Sequence, residues 1–340
     1  MDQEIRFCEV DGSRVAFAVA GDGPALVLPA LWLGHLELEW TFPEYRAFVS
    51  ALAASRTVVR YDRLGTGLSD RVHPDPPDVE AELRTVGAVI AALELEELSL
   101  LGISWGGCVA AAYAARHPVR ALALVGAFAA GAEAAPQPLR EAIVATVRAH
   151  WGAGSRMLAD VWVPGTGPEV QQAFAAVQRA AADAETAAAM LEAIYATDVR
   201  GLLGDVRAPT LVVHRRADRA IPFALGRDLA SRIPGARLAA LDGDIHLPWL
   251  GDRDAMLAAL AGFLGGAPAA APAAPVDGPL SAREQEVLRL VAEGLSDSDI
   301  AERLIVSPHT VHRHMANIRA KLRQPSRAAA AAHAVRNGLI

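Results

Sequence analysis

The stretch Leu98-Ser99-Leu100-Leu101-Gly102-Ile103-Ser104-Trp105-Gly106-Gly107 decides the fold of this chain. It runs from an apolar segment, typical of a buried strand, through Gly-x-Ser-x-Gly into residues 108–116, which have helical character. A tight turn from strand to helix needs small residues on both sides of the serine, and Gly102 and Gly106 supply them. Such a turn exposes the Ser104 hydroxyl at the carboxyl edge of a sheet and at a helix N-terminus. Ser104 is therefore the candidate nucleophile.

A serine hydroxyl is inert without a base, and the base needs an orienting acid. Asp218 follows one strand-like segment, and His246 lies in the loop after the next. Asp242 and Asp244 are alternative acids, but they lie too near His246 in sequence to orient its ring easily from behind. Taken singly, His246 is more often a loop histidine and Asp218 a surface carboxylate. The ordered set favours catalytic roles.

Six short apolar or β-branched runs surround these residues. They show no period-two polarity, which favours strands covered on both faces and hence a mostly parallel sheet. The runs are residues 25–28, 57–61, 98–102, 121–125, 210–214 and 237–241. Two further runs, 5–10 and 14–19, meet at Asp11-Gly12 and predict an antiparallel hairpin at the sheet edge.

About 80 residues between Val125 and Thr210 show no strand pattern. Helical periodicity occurs instead, at residues 139–151, 169–181 and 184–196. An insert of this length is too long for one crossover helix. We therefore expect a helical cap over about residues 129–203, above the sheet.

The chain order Ser104, Asp218, His246 resembles that of the α/β-hydrolases. The stretch Tyr61-Asp62-Arg63-Leu64-Gly65-Thr66-Gly67-Leu68-Ser69 is also similar to the loop after the fourth strand of that family. Residues 1–264 are therefore identified as an α/β-hydrolase fold domain, a sandwich of α/β class with a helical cap. The resemblance implies a serine hydrolase in which Ser104 is the nucleophile, His246 the base and Asp218 the orienting acid.

The loop after the third strand departs from that family. Pro29-Ala30 replaces the usual His-Gly, and the resemblance assigns the oxyanion-hole donors to the backbone N–H groups of Leu31 and Trp105. A misplaced donor costs about 10²–10³ in turnover. Catalysis therefore stays open: the domain is either an active serine ester hydrolase or a hydrolase-like module that only binds a ligand or dimerises.

A lidded apolar pocket is the expectation for this architecture. Its candidate lining residues are Trp32, His35, Trp151 and Trp249. Core packing is the alternative for each tryptophan. His214 has no local partner pattern and is interpreted as a structural or surface residue.

The segment 265–279 repeats Pro and Ala and predicts a semi-extended linker. The tail 280–340 carries nine basic and six acidic residues, net +3, whereas the residues before it are net −10. A basic module on an acidic body predicts a polyanionic partner, because neutralising phosphates releases counterions.

Capping residues divide the tail into short helices. Ser281-Ala282-Arg283-Glu284 is a capping box, and Ser296, Ser307 and Ser326 precede three further helices. Pro308 occupies the preferred first position of the third helix. The predicted buried stripe of that helix is Val311, Met315, Ile318 and Leu322. Three capped helices with a basic third one predict a helix-turn-helix whose recognition helix enters the major groove.

Residues 280–340 resemble the LuxR/GerE-type DNA-binding domain. The similarity rests on residues 280–288, 299–301, 307–318 and 321–322. It implies that Thr310 and Lys321 hold phosphates and that His312, Arg313 and Ala316 lie nearest to base edges. The full candidate set for double-stranded DNA is Thr310, His312, Arg313, Ala316, Asn317, Arg319 and Lys321. A helical bundle that binds protein is the alternative.

The hydropathy and cysteine content of the chain argue against several classes of protein and site. No apolar run reaches the length of about 18 residues that a membrane span needs, and residues 1–4 do not resemble a secretory signal, so we expect a cytoplasmic protein. Cys8 and Cys108 fit no metal spacing, and we expect neither a metal nor a cofactor. The preference for Arg over Lys and the high Ala content suggest a GC-rich bacterial genome.

Together these features predict a DNA-binding transcription regulator whose α/β-hydrolase domain senses, and in one interpretation hydrolyses, a small organic ligand. The alternatives are a serine ester hydrolase with an auxiliary DNA-binding tail and a non-catalytic dimerisation module. So small a DNA-binding module buries little surface, so we expect a homodimer on two half-sites.

Overall fold

The computed structural model describes residues 2–71, 78–265, 280, 282–304, 311, 315, 318, 321–322, 324, 330–331, 333–334 and 337. The chain divides into two compact units, Met1–Pro268 and Ala269–Ile340. Nearly all of the predicted linker, residues 266–279, lies outside the described residues.

An eight-stranded sheet forms the centre of the first unit. Its strands are β1 (Glu4–Val10), β2 (Ser13–Ala20), β3 (Ala25–Leu28), β4 (Thr57–Tyr61), β5 (Leu98–Ile103), β6 (Leu122–Val125), β7 (Thr210–Arg215) and β8 (Arg237–Leu241). Their order is β1-β2-β4-β3-β5-β6-β7-β8. The pairs β1–β2 and β2–β4 are antiparallel, and all other pairs are parallel. The predicted α/β class is confirmed.

The hairpin between β1 and β2 turns at Asp11 and Gly12. Their φ angles are 50° and 79°, in the left-handed region that a two-residue type I′ turn requires at both positions. Asp-Gly is a preferred pair for this turn, because both residues tolerate positive φ. Local chemistry therefore explains why the predicted edge hairpin forms.

Helices cover both faces of the sheet. They are α1 (Leu36–Trp40), α2 (Pro43–Ala53), α3 (Val79–Ala92), α4 (Trp105–Arg116), α5 (Gln137–Ala149), α6 (Trp151–Trp162), α7 (Pro168–Ala181), α8 (Ala184–Ala196), α9 (Phe223–Arg232) and α10 (Arg253–Leu264). Successive strand residues point to opposite faces. Val27 packs with α4 on one face, whereas Leu26 and Leu28 pack with α2 and α10 on the other. Burial on both faces is the reason that these strands read as continuous apolar runs.

Helices α5 to α8 form the insert between β6 and β7. The helical pattern at residues 139–151 extends to Trp151, whereas α5 ends at Ala149 and Trp151 begins a further helix, α6. His150 starts the new helix by accepting a hydrogen bond at Nδ1 from the N–H of Ala153, at 3.1 Å. A Cβ at Gly154 would lie 2.8 Å from Val147 Cα, so the close packing of α5 on α6 requires glycine there.

The second unit begins with α11 (Ala282–Ala292) and α12 (Asp297–Leu304). Gly294 separates them with a φ of 88°. Ser296 Oγ accepts a hydrogen bond from the N–H of Asp299 at 3.2 Å, and Asp299 Oδ2 accepts one from the N–H of Ser296 at 3.0 Å. This reciprocal capping explains where α12 begins.

A small helical core holds the second unit together. The predicted stripe residues Val311, Met315 and Ile318 are buried there, and Leu322 packs against them. The residues that they join come from α11 and α12, and are Val287, Leu288, Leu290, Val291, Ile300 and Ala301. The predicted all-α domain is confirmed. The expected helix starts at Ser281, Ser307, Pro308 and Ser326 lie outside the described residues.

Within the described ranges, no helix is both long and apolar enough to cross a membrane. Over the same residues, no group of three or more His, Cys, Asp or Glu side chains is arranged to hold a metal ion. Cys8 and Cys108 are free thiols. Burial raises the pKa of the Cys108 thiol.

Candidate active site

Ser104 joins β5 to α4 in a strained backbone conformation. Its φ of 53° and ψ of −127° lie outside the regions that residues with a side chain normally populate. The N–H of Ser104 donates to the carbonyl of Val125 at 2.9 Å, which ties the turn to the end of β6. The residue is partly exposed at the carboxyl edge of the sheet. This geometry is that of the nucleophile elbow.

Three glycines make room for the elbow. A Cβ would lie 2.5 Å from Gly107 Cα if placed on Gly102, and 2.4 Å from Ala127 Cβ if placed on Gly107. A Cβ on Gly106 would lie 2.5 Å from the carbonyl oxygen of Pro29. These separations are far below van der Waals contact, so each position requires glycine. The last one also shows that the loop after β3 lies against the start of α4.

Asp218 and His246 form a buried pair. His246 Nδ1 lies 2.8 Å from Asp218 Oδ2, and each side chain is 2% exposed. The other carboxylate oxygen accepts hydrogen bonds from the N–H groups of Ala220 and Ile221, at 2.9 and 3.0 Å. Burial opposes ionisation of Asp218, but the charge of His246 and these hydrogen bonds outweigh it and hold the pKa of Asp218 below its ordinary value. The pair leaves His246 Nε2 as the ring atom available to a nucleophile.

His246 lies close to the elbow. A Cβ on Gly126, the residue that follows β6, would lie 3.0 Å from His246 Cε1. Ser104 is hydrogen-bonded to Val125, the last residue of β6, and neighbouring strands lie about 4.8 Å apart. Ser104 and His246 therefore both lie at the carboxyl end of β6. The alternative acids Asp242 and Asp244 are exposed, and the carboxylate on His246 is that of Asp218.

His214 has a role that its sequence did not reveal. It is fully buried, its Nε2 lies 2.9 Å from the carbonyl oxygen of Ile221, and the same atom lies 3.8 Å from Asp218 Oδ2. Burial lowers the pKa of His214, which favours the neutral ring. His214 thus supports the turn that presents N–H groups to Asp218. The available signal was its position at the end of β7, four residues before the acid.

The buried side chain of Arg63 contacts Trp105 and Ala30, the residue before Leu31. Its Nη2 donates to the carbonyl of Ala30 at 2.6 Å, and its guanidinium lies 4.4 Å from the centre of the Trp105 ring. Glu82 Oε1 lies 3.4 Å from Arg63 Nε. Ala30 is the residue before Leu31, so Arg63 holds the peptide group that carries the Leu31 N–H. The sequence pattern placed Arg63 in the loop after β4 but did not indicate a role for it.

An apolar cavity of about 200 Å³ lies in the first unit, between α7 and the helices α1 and α2. It is called the apolar cavity below. Leu247, which directly follows His246, lines it, as does Trp249. The cap contributes one face of α7, and α1 and α2 with the segment between them contribute Glu39, Phe42, Glu44 and Tyr45. The cavity therefore borders the loop that carries His246.

The four predicted pocket residues have different environments. Trp249 lines the apolar cavity of about 200 Å³, and Trp32 lines a second cavity of about 40 Å³ beside Leu31. His35 lines neither, because its Nδ1 caps α1 by accepting from the N–H of Leu38. Trp151 also lines neither, and its Nε1 donates to the carbonyl of Ala182 at 2.9 Å.

Three hydrogen-bonded polar side chains lie beside the apolar cavity. Arg60 Nη1 donates to Tyr45 OH at 2.7 Å, and the Tyr45 hydroxyl is hydrogen-bonded to Glu39. Burial raises the pKa of Glu39 to about 8, in spite of the opposing charge of Arg60. Glu39 is therefore mostly protonated at neutral pH. Sequence reasoning missed this carboxyl, since nothing in its local pattern distinguishes it from a surface helix residue.

Most of the candidate DNA-binding residues, namely Thr310, His312, Arg313, Ala316, Asn317 and Arg319, lie outside the described residues. Lys321 is described: its Nζ lies 2.7 Å from Glu284 Oε2, with side-chain exposures of 15% and 5%. This ion pair connects Lys321 to α11. The phosphate contact of Lys321 stays a prediction, and the pair adds a structural role.

Comparison with known proteins assigns both units. Residues 24–250 match the family described as alpha/beta hydrolase fold, and residues 278–334 match the bacterial regulatory proteins of the luxR family. A 2-hydroxymuconate semialdehyde hydrolase of a Pseudomonas species is 31% identical over 235 residues, which are 65% of this chain and 76% of that protein.

Two further similarities concern one unit each. The crystal structure of the enol-lactonase from Burkholderia xenovorans superimposes with a TM-score of 0.68 and 26% identity, over 77% of this chain and all of that chain. A Mycobacterium tuberculosis protein named as an HTH-type transcriptional regulator is 51% identical over 61 residues, which are 18% of this chain and only 7% of that protein. The chain thus belongs to the α/β-hydrolase fold family and carries, at its carboxyl-terminal end, a DNA-binding domain of the luxR family of bacterial regulators.

Proposed function

We propose that this protein is a cytoplasmic transcription regulator whose α/β-hydrolase domain binds a small organic ligand beneath its cap. The observation that carries the proposal is the Asp218–His246 pair beside the strained Ser104, next to an apolar cavity, in a chain that also carries a luxR-family domain. Ligand binding changes the cap or a dimer interface, and thereby the affinity for DNA. Such coupling requires the ligand to bind the two states with different affinities.

The site has the parts for ester cleavage. His246 Nε2 takes the proton of Ser104 as Oγ attacks the ester carbonyl, and the N–H groups of Leu31 and Trp105 stabilise the oxyanion. The alcohol leaves with the proton from His246, and an acyl-serine forms. Water then attacks with His246 again as base, which releases the acid and restores Ser104. Asp218 stabilises the imidazolium at each step.

Replacement of Ser104 by alanine separates sensing from turnover. Ligands are first identified by native mass spectrometry of the purified protein, and operator binding is then measured by footprinting with and without them. If Ser104→Ala abolishes ester cleavage but keeps the ligand-dependent change in footprint, binding alone carries the signal. Loss of both indicates signalling through turnover. A ligand that occupies the cavity and leaves the footprint unchanged in the wild type would refute the sensor.

The second candidate function is that of an ester hydrolase whose tail regulates its own gene. The intact hydrogen bond between Asp218 and His246 favours it, because a pocket that only binds has no need of an oriented base. A wild-type protein that cleaves no ester argues for the third possibility, a binding or dimerisation module. The departure at Pro29-Ala30 favours that outcome.

We further propose that DNA is read by a homodimer through the third helix of the second unit. The double substitution His312→Ala/Arg313→Ala should change the preferred sequence at a mapped site, because these side chains are assigned to base edges. Thr310→Ala should instead weaken binding to all sequences and flatten its salt dependence. Equal effects of both variants on sequence preference would contradict the assignment.

A further inference from the structure

The apolar cavity between α7 and the helices α1 and α2 has a one-sided charge. Among the described residues, its lining includes the two carboxylates of Glu44 and Glu169 and the mostly protonated carboxyl of Glu39, and no Lys, Arg or His side chain. Glu44 and Glu169 are exposed and lie in the first turns of α2 and α7, on the core and the cap. A negatively charged ligand would meet only repulsion at these positions.

Aromatic rings form much of the remaining wall. Tyr45 and Trp249 lie with ring centres 4.7 Å apart and planes at 84°, so that they form a corner. Phe42 and Phe174 line the cavity from α2's N-cap and from α7. Ring faces carry a negative quadrupole and attract cations, and aromatic cages recognise quaternary ammonium groups in this way.

The guanidinium of Arg60 lies outside the lining of this cavity. Arg60 is 4% exposed and contacts Tyr45 from the side of the smaller cavity, where its two Nη atoms donate to Tyr45 and Gln3. It lies 5.1 Å from the centre of the Tyr45 ring and does not line the apolar cavity.

We propose that this cavity binds the cationic end of an amphiphile, an alkylated ammonium group attached to an apolar acyl or ester body. The inference rests on the proposed function of the cavity as the ligand site, and it specifies the ligand's charge. The rings and rim carboxylates hold the cation, and the acyl end reaches toward His246, which directly precedes the lining residue Leu247. The volume of about 200 Å³ exceeds the roughly 150 Å³ of a cavity that holds benzene, so a compact cation fits.

Two probes of equal shape test the charge. Butyrylcholine and 3,3-dimethylbutyl butyrate differ only in a trimethylammonium against a tert-butyl group. Binding to the full-length Ser104→Ala protein is measured by titration calorimetry, so that no turnover occurs. The choline ester should bind about tenfold more tightly than its neutral counterpart. The same pair as hydrolysis-resistant ethers, titrated into the wild type, gives an independent reading.

The variant replaces the two exposed carboxylates of the cavity, Glu44 and Glu169, and its control replaces two exposed carboxylates elsewhere. Glu44→Gln/Glu169→Gln should bring the affinity ratio of the two probes close to one and leave binding of the neutral probe unchanged. Glu9→Gln/Glu96→Gln changes the net charge equally at two exposed positions outside the cavity lining, and should keep the ratio. An unchanged ratio in the rim variant, equal binding of both probes, or no binding of the choline ester would overturn the cationic ligand. Ester turnover by the wild type is a separate measurement, so its absence would count against catalysis and not against this inference.

Discussion

At the scale of single residues, Arg63 offers a physical reason why the loop after β3 can differ from its family. The peptide between Ala30 and Leu31 is trans, so its C=O and N–H point in opposite directions. Arg63 Nη2 holds the carbonyl, and the Leu31 N–H must then point away from the guanidinium. The same guanidinium lies on the Trp105 ring. A buried cation thus fixes the orientation of the peptide group that carries the Leu31 N–H.

Replacing Arg63 should therefore slow catalysis more than it weakens substrate binding. In Arg63→Met, with ester cleavage as the assay, we expect kcat to fall about 10²-fold with KM little changed. The reason is that the Leu31 N–H loses its orientation, and its hydrogen bond to the oxyanion forms only in the transition state. Arg63→Lys, which keeps a charged donor, should recover part of the rate. A rise in KM at constant kcat would show that Arg63 acts on substrate binding instead. Thermal melting checks that both variants fold.

Glu39 predicts a dependence of stability on pH. Its pKa is about 8 in the folded protein against an ordinary value of 4.5, so the folded state holds the proton more tightly. Stability from this group is therefore greatest at low pH and falls as pH rises from about 4.5 to about 8. Glu39→Gln removes the ionisation. We expect its Tm, relative to wild type, to increase between pH 5 and pH 9. A difference that stays constant over this range would contradict the assigned proton.

At the scale of elements, glycines decide how closely helices approach. Gly154 in α6 lies where a Cβ would meet the backbone of α5, whereas Gly262 in α10 has nothing within 4 Å of its Cβ position. Both residues lie inside helices, where alanine is intrinsically favoured by about 1 kcal/mol. Only their packing differs.

The two alanine substitutions should therefore have opposite effects. Gly154→Ala forces α5 and α6 apart and should lower the free energy of unfolding by about 1–3 kcal/mol. Gly262→Ala, in open space, should raise it by about 0.5–1 kcal/mol. Chemical denaturation of the full chain measures both. Equal stabilisation in the two variants would show that the cap helices can separate without cost.

At the scale of the whole molecule, the chain consists of two units with separate cores and opposite net charge. The hydrolase unit has its sheet core, and the second unit has a small helical core with the pair Glu284–Lys321 at its side. Separate cores imply separate unfolding. The units should then respond independently to a substitution in one of them.

Breaking the ion pair tests that independence. Glu284→Gln leaves the largely buried Lys321 without its charge partner, and we expect the second unit to lose about 3–5 kcal/mol. Calorimetry should show the transition of the second unit at a lower temperature and that of the hydrolase unit unchanged. DNA affinity should fall with the folded fraction. Glu286→Gln, on the exposed side of α11, serves as the control. A single transition that moves as a whole would refute two independent units.

Local sequence already determined much of this protein. Hairpin chemistry at Asp11-Gly12, the apolar strands, the spacing of Gly102, Ser104 and Gly106, and the capping of α12 by Ser296 each act over a few residues. The same is true of the order of serine, acid and base along the chain. Such features are set by backbone conformation and nearest neighbours, and the sequence expresses them directly.

Tertiary structure alone decided the rest. The contacts of His246 with Asp218 and of Arg63 with Ala30 join residues far apart in the chain. The support from His214 and the protonation of Glu39 depend on burial. Their effects depend on burial and on distances between elements, since desolvation and hydrogen-bond geometry act through space. The local pattern around each of these residues is that of an ordinary charged or aromatic position, and only the packing of cap, sheet and loops makes it part of a site.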